Sequence, residues 1–200
     1  MGREATGAVR IGDSAGKAKV LLETDELIFR GEVKGRVPFK ALTRIEPAPD
    51  GLHLAWPEGE ATVELPEAEA GRWRDRIANP PTLLDKLGVG DGTRVAVLDV
   101  DDRAFAGELS QRPVKRVGAG PADVVVWGVD EAADLARLPA LAEWIRPAGA
   151  LWAVWPKGRK ELNENHIREA ALDAGLVDVK VARFSATHSA LKLVIPKAKR

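Results

Sequence analysis

The sequence contains no cysteine and no tyrosine, and only one methionine and four phenylalanines among its 200 residues. The absence of cysteine excludes a disulfide-stabilised fold, a thiolate metal site and a thiol nucleophile. Acidic and basic side chains balance at 30 each, which argues against a nucleic-acid-binding protein. No apolar run approaches the roughly 20 residues that cross a bilayer, and the start has no secretory pattern. We therefore expect a cytoplasmic protein without a nucleic-acid or membrane partner.

A change of pattern near residue 80 divides the chain. Hydrophobic residues make up 45% of the sequence, which is enough to build a buried core. Two adjacent prolines, Pro80 and Pro81, can neither continue a helix nor donate to a strand ladder. The sequence thus predicts a flexible arm over residues 1–15, a β domain over residues 16–79 and an α/β domain over residues 80–200.

The first half is a series of short strand-like runs followed by one helix. Six such runs lie between residues 17 and 65, and Asp50-Gly51 is a typical hairpin turn between two of them. The helix predicted over residues 67–78 places Trp73 and Ile77 on one face. This element order resembles the pleckstrin-homology-like (PH-like) superfold, which implies an α+β domain with a curved sheet and a C-terminal helix.

The second half alternates strands with helices. Buried-strand runs at residues 93–99, 122–129 and 150–155 alternate with helices predicted over 103–111, 131–145 and 161–174, and a further short strand is expected near 114–117. Two last runs, 177–184 and 190–195, are joined by a connection too short for a crossover helix, so they pair antiparallel. A mostly parallel sheet that ends in a β-hairpin is the layout of the class I methyltransferase-like Rossmann folds.

Several stretches of this half resemble a known family. Trp155-Pro156-Lys157-Gly158 and Phe184-Ser185-Ala186-Thr187-His188-Ser189 are its most recognisable pieces, and the likeness extends over residues 83–195. The family is an uncharacterised bacterial one, known only as a domain of unknown function. The resemblance implies a Rossmann-like fold and brings no established activity.

Candidate site residues follow the predicted parallel strands. Ligands of such sheets bind at the carboxyl ends of the strands, where loops and helix N-termini meet. Residues 99–145 hold 9 acidic and 5 basic side chains, whereas residues 151–200 hold 5 acidic and 10 basic ones. The predicted ligand-binding residues are Asp101, Asp102, Asp130, Trp155, Lys157, Arg159, Lys160, Ser185, Thr187, His188 and Ser189. The leading hypothesis is a non-catalytic binding or regulatory module that holds a small anion or the acidic segment of a protein partner.

Structural interpretations of the same residues stay open. Asp101 or Asp102 is a preferred N-cap residue for the helix that follows the first strand of the α/β domain. The hydroxyls of residues 185–189 are also typical of a polar hairpin turn that satisfies its own backbone. No catalytic residue and no metal site are assigned.

Two alternative functions compete with this hypothesis. One is an enzyme that uses S-adenosylmethionine or a phosphate-bearing ligand at the same crevice. Against it, residues 99–105 after the first buried strand contain no glycine to let the backbone approach such a ligand, so no cofactor is predicted. The other is that the PH-like sheet binds a peptide or a second copy of the chain, which would make a homo-oligomer.

Overall fold

The computed structural model describes residues 3–199, and the chain divides into two compact units, residues 1–81 and 82–200. Met1 and Gly2 of the predicted flexible arm lie outside the described residues, as does Arg200 at the other end. Each unit has its own hydrophobic core.

The N-terminal unit is an antiparallel sheet of seven strands with one helix. Its strands are β1 (Arg3–Ile11), β2 (Ser14–Leu22), β3 (Glu26–Gly31), β4 (Gly35–Pro38), β5 (Arg44–Ala48), β6 (Gly51–Trp56) and β7 (Gly59–Val63). They lie in the order β4-β3-β2-β1-β7-β6-β5. Helix α1 (Glu67–Ala78) buries Ala70, Trp73 and Ile77 in the core of the sheet, because positions three, four and seven apart share one helix face.

Residues 3–11 are not the flexible arm that the sequence predicted. They form β1, the central strand, which pairs with β2 over its whole length and with β7 through Val9 to Ile11. Gly12, at a φ of 54°, makes the tight turn into β2. The strand has few large apolar side chains, so its own sequence carries little strand signal, although it pairs with the neighbouring β2 and the distant β7.

The predicted fold class, a PH-like domain followed by a Rossmann-like domain, is wrong. The N-terminal unit is a curled antiparallel half-barrel sheet built around β1, and the C-terminal unit is a mixed sheet. The PH-like interpretation relied on six runs that start at residue 17, so it omitted the strand at the centre of the sheet.

The C-terminal unit contains a six-stranded mixed sheet. Its strands are β8 (Arg94–Leu98), β9 (Lys115–Arg116), β10 (Ala122–Gly128), β11 (Ile145–Pro156), β12 (Val177–Arg183) and β13 (His188–Val194). In the order β12-β13-β11-β10-β8-β9, the last four run parallel and β13 is antiparallel to both of its neighbours.

Helices cover both faces of this sheet. They are α2 (Leu83–Leu87), α3 (Arg103–Gln111), α4 (Leu138–Ala142) and α5 (Glu164–Asp173). One core joins α2 and α3 to Val126 and Trp152, and the other joins α4 and α5 to Val125 and Trp127, as strand alternation requires. The buried Trp152 Nε1 donates to Leu87 O at 2.9 Å, which fixes α2 on the sheet. Among residues 3–199, no helix combines the length and the apolar character needed to cross a membrane.

The helix predicted over residues 131–145 is wrong in extent. Residues 132–137 form a 3₁₀ helix, α4 follows over only five residues, and β11 already begins at Ile145. Pro139 lies in the first turn of α4, where a backbone N–H would have no partner within the helix. The proline therefore favours the start of a new helix at this point.

Strand β12 is an outer strand with an irregular register. Between Asp178 and Lys180 it advances by two residues while β13 advances by one, so Val179 is the extra residue of a β-bulge. The side chains of Val177, Val179 and Val181 are 36%, 56% and 44% exposed. The free edge of the sheet therefore exposes three valines among charged residues and carries a bulge.

Candidate functional site

The carboxyl ends of β8, β10 and β11 open into a cavity of about 280 Å³, which we call the crevice. This is the edge of a parallel sheet at which ligands bind, because the connecting loops diverge there. The volume is near the lower end of the range for ligand pockets, so the crevice suits a compact ligand or one end of a larger ligand. Its lining residues are Asp99, Val100, Asp101, Asp102, Gly128, Asp130, Val154, Phe184 and His188.

The chain turns sharply into the crevice at Asp99. Asp99 has a φ of 53° and is the one non-glycine residue with positive φ among residues 3–199. Its carbonyl oxygen lies against Gly128 so closely that a side chain at position 128 would overlap it. Asp99 thus makes the left-handed turn that glycine usually makes, and Gly128 provides the space for it.

The four aspartates of the crevice differ in what they already bind. Asp99 forms an ion pair with Arg137 at 2.6 Å, and Asp102 accepts a hydrogen bond from Phe105 N, so it is the N-cap of α3. The carboxylates of Asp101 and Asp130 have no hydrogen-bond or ion-pair partner among the described residues. These two acidic side chains are therefore available to a ligand.

Lys157 and Arg159, the two main cations of the predicted anion site, contact backbone carbonyl groups in the structure. Lys157 Nζ donates to Ser185 O at 2.8 Å and to Ala186 O at 3.1 Å, and Arg159 donates to Asp130 O at 2.8 Å. Both cations are thus used to hold backbone carbonyl groups, and neither lines the crevice. The sequence placed these residues at the correct edge of the sheet, but it could not show what their side chains contact.

His188 is the predicted residue of the 185–189 turn that lines the crevice. Its Nδ1 lies 2.9 Å from Thr187 Oγ1, and its backbone N–H donates to Ser185 Oγ at 3.2 Å. Both hydroxyls therefore support the turn itself, as the structural interpretation of this segment expects. The other ring nitrogen, Nε2, has no hydrogen-bond partner among residues 3–199.

Three further predicted residues lie away from the crevice. Trp155, a predicted ligand-binding residue, is 6% exposed and packs in the same core as α4 and α5. Ser189 pairs with Trp155 and Arg183 in the sheet, and the side chain of Lys160 is exposed.

Phe184 belongs to the crevice although sequence analysis did not select it. Its side chain is 6% exposed, and its ring centroid lies 5.2 Å from that of Phe105 on α3. The one available signal was its position directly before the polar turn.

Within residues 3–199, no three acidic or histidine side chains form a group that could hold a metal ion.

Some solved structures resemble this chain, but the comparisons assign it to no family. No protein-family model matches the chain, and no curated protein matches it. Similar solved structures include a TehB-like SAM-dependent methyltransferase from Corynebacterium glutamicum, at 12% identity over 65% of this chain and 97% of that chain, with a TM-score of 0.43. A SAM-dependent methyltransferase from Aquifex aeolicus is 14% identical over 61% of this chain and 93% of its own, with a TM-score of 0.42.

A magnesium protoporphyrin IX methyltransferase from Synechocystis with bound SAM is 15% identical over 57% of this chain and 74% of its own, with a TM-score of 0.38. Since the TM-scores of these structures lie below 0.5, what they bind or methylate is not transferred to this chain. The expected membership of an uncharacterised bacterial family, the protein partner and the cytoplasmic location remain predictions.

Proposed function

We propose that the crevice binds S-adenosylmethionine and that the protein is a SAM-dependent methyltransferase. The observation that supports this most is the acidic crevice at the carboxyl ends of β8, β10 and β11, with two unpaired carboxylates. The proposal replaces the leading hypothesis of the sequence, an anion-binding module, because the cations required by that hypothesis are engaged elsewhere.

The charge of the crevice fits this ligand. S-adenosylmethionine carries an ammonium group, a sulfonium group and one carboxylate, so its net charge is positive, and carboxylates of the protein stabilise its two cationic groups by charge attraction. Asp101 and Asp130 are the residues that would hold these positive groups. A phosphate would instead be repelled, since no lysine or arginine lines the cavity within the described residues.

The loop after β8 also fits, although it lacks the expected glycines. The sequence argued against such a ligand because residues 99–105 contain no side-chain-free position. The structure shows that Asp99 adopts the left-handed conformation and that Gly128 on the next strand supplies the space. The chain therefore makes a sharp turn after β8 without a glycine in the loop, because Gly128 at the end of β10 makes room for the Asp99 carbonyl.

The remaining lining residues supply shape and hydrogen bonding. When bound, S-adenosylmethionine supplies a reactive methyl group. The buried side chains of Phe184 and Val154 form an apolar wall of the crevice, and an aromatic ring also attracts a cation. His188 Nε2 can donate or accept a hydrogen bond in the crevice, depending on which ring nitrogen carries the proton.

Isothermal titration calorimetry tests the proposal directly. We expect saturable binding of S-adenosylmethionine and of its product S-adenosylhomocysteine, and no binding of ATP or inorganic phosphate. Asp130→Asn and Asp101→Asn each weaken binding about tenfold, because each removes one charge-assisted contact. Asp91→Asn, which changes an exposed carboxylate in the loop before β8, leaves the affinity unchanged.

The outcomes separate the functions clearly. Binding of phosphate in place of the adenosyl compounds would contradict the proposal and restore the anion-binding module. Binding that Asp130→Asn does not alter would place the ligand outside the crevice. If S-adenosylmethionine binds and a screen of methyl acceptors detects no transfer, the crevice belongs to a non-catalytic binding module.

A further inference from the structure

The two motifs that stand out most in the sequence of the C-terminal unit are joined by one side chain. Lys157 follows β11, and the turn of residues 184–188 joins β12 to β13. Lys157 donates three hydrogen bonds to this turn: its backbone N–H to Thr187 O at 2.8 Å, and its Nζ to Ser185 O and Ala186 O. One residue thus holds three successive carbonyl groups.

The local sequence explains why the contact forms at this position. Pro156 pairs with His188 at the end of the β11–β13 ladder, but proline has no N–H to donate. Lys157 supplies the next donor, and Gly158, at a φ of 80°, then turns the chain away. The lysine is therefore directed along the edge of the sheet, towards the turn.

The turn that Lys157 holds also places His188 at the crevice. Phe184 N and Ser185 N both donate to His188 O, at 3.2 and 3.1 Å, and the two hydroxyls of the turn contact the backbone and ring of His188. A change in the turn therefore moves both the imidazole and Phe184, which line the cavity.

We propose that Lys157 is a positioning residue, whose ammonium group fixes the turn of residues 184–188 and thereby holds His188 Nε2 at the crevice. The role of His188 towards the ligand rests on the proposed function, whereas the positioning itself does not. The role differs from the anion-binding role predicted for Lys157, because the charge acts on carbonyl groups of the protein.

The apo protein allows a direct test by NMR of the histidine rings. The chain has three histidines, so His53 and His166 serve as internal references. In Lys157→Met, which keeps the length of the side chain and removes its charge, we expect the ring signals of His188 to shift and broaden. The reference signals stay in place, and Lys157→Arg, which retains cationic donors, restores most of the original His188 signal. Lys160→Ala, in the same loop, is the matched control and changes none of the three.

Binding of S-adenosylhomocysteine supplies the second readout. Lys157→Met and His188→Ala each weaken binding about tenfold, and the double variant loses no more than either single variant, since both disturb one contact. If wild type does not bind this compound, the proposed function fails while the NMR result still decides the positioning. Unchanged His188 signals in a folded Lys157→Met protein would overturn the positioning role. Additive losses in affinity would overturn the inference that Lys157 acts through His188.

Discussion

Gly128 is the single position at which the crevice tolerates no side chain. A Cβ there would overlap the carbonyl of Asp99, which is fixed in an uncommon backbone conformation. We expect Gly128→Ala to destabilise the protein by about 1–3 kcal/mol and to abolish ligand binding, because backbone must move to make room. Thermal unfolding and calorimetry measure both effects.

A glycine without neighbours provides the control. A Cβ at Gly118 would meet no atom within 4 Å. Gly118→Ala should therefore leave the midpoint of unfolding and the affinity close to those of wild type. Equal losses in Gly118→Ala and Gly128→Ala would contradict the importance of the Asp99 contact.

At the residue scale, the sequence predicted where the site lies better than what it binds. Asp101, Asp130 and His188 line the cavity as expected, since the edge of a parallel sheet follows from strand order alone. Lys157 and Arg159 contact backbone carbonyl groups, because a cation near an edge can bind a carbonyl group as well as a ligand, and their role in ligand binding stays a prediction. Which of these a cation contacts depends on where distant loops lie in the fold. The spacing of residues along the sequence does not give that information.

Helices α1 and α3 each contain an exposed or half-exposed glycine in their interior. A Cβ at Gly71 or Gly107 would meet no atom within 4 Å. Since glycine lowers helix stability, Gly71→Ala and Gly107→Ala should each raise the free energy of unfolding by about 0.5–1 kcal/mol. Chemical denaturation measures the gain, and a loss of stability in either variant would show that the helix needs the small residue.

Asp85 and Asp123 each bind the backbone of a neighbouring segment through their carboxylates. We therefore expect the protein to lose stability in acid. The backbone N–H of Thr82, and then its hydroxyl and Arg112, lower the pKa of Asp85 at the start of α2. The backbone N–H of Arg94, followed by Arg146, lowers the pKa of Asp123 on β10. Both pKa values are lower in the folded state than in the unfolded state. The two carboxylates therefore contribute fully to the free energy of unfolding above a pH of about 4, and this contribution disappears as the pH falls through the folded pKa.

Unfolding curves of Asp85→Ala and Asp123→Ala check this dependence. Each variant should be less stable than wild type at pH 7, and the difference should shrink as the pH falls below about 4. A difference that stays constant down to the lowest pH would assign the loss to the changed side-chain packing instead of the charge.

The elements that were predicted well are those with a strong local pattern. Helix α3 has the predicted bounds, residues 103–111, because Asp102 caps it and Phe105 and Leu109 mark one face. Strand β1 was missed because its stability comes from pairing with β2 and β7. The helix expected over residues 131–145 was too long because its apolar periodicity continues into the first residue of β11.

At the scale of the whole molecule, each unit contains the buried side chains that folding requires. The core of residues 1–81 includes Trp73, and the two cores of residues 82–200 include Trp127 and Trp152. We therefore expect residues 82–200, expressed alone, to fold cooperatively and to bind S-adenosylhomocysteine with the affinity of the full chain. Near-ultraviolet circular dichroism and calorimetry test this expectation, and an unfolded fragment would show that the crevice depends on the N-terminal unit.

The bulge at Val179 has a consequence for the behaviour of the protein at high concentration. A straight outer strand with exposed valines is a template on which other chains can add strands and begin to aggregate. The extra residue breaks the regular spacing of hydrogen-bonding groups along the free edge, so an incoming strand cannot pair with it continuously. We therefore expect the irregularity in β12 to hinder the addition of strands at this edge, at the cost of one imperfect pairing with β13.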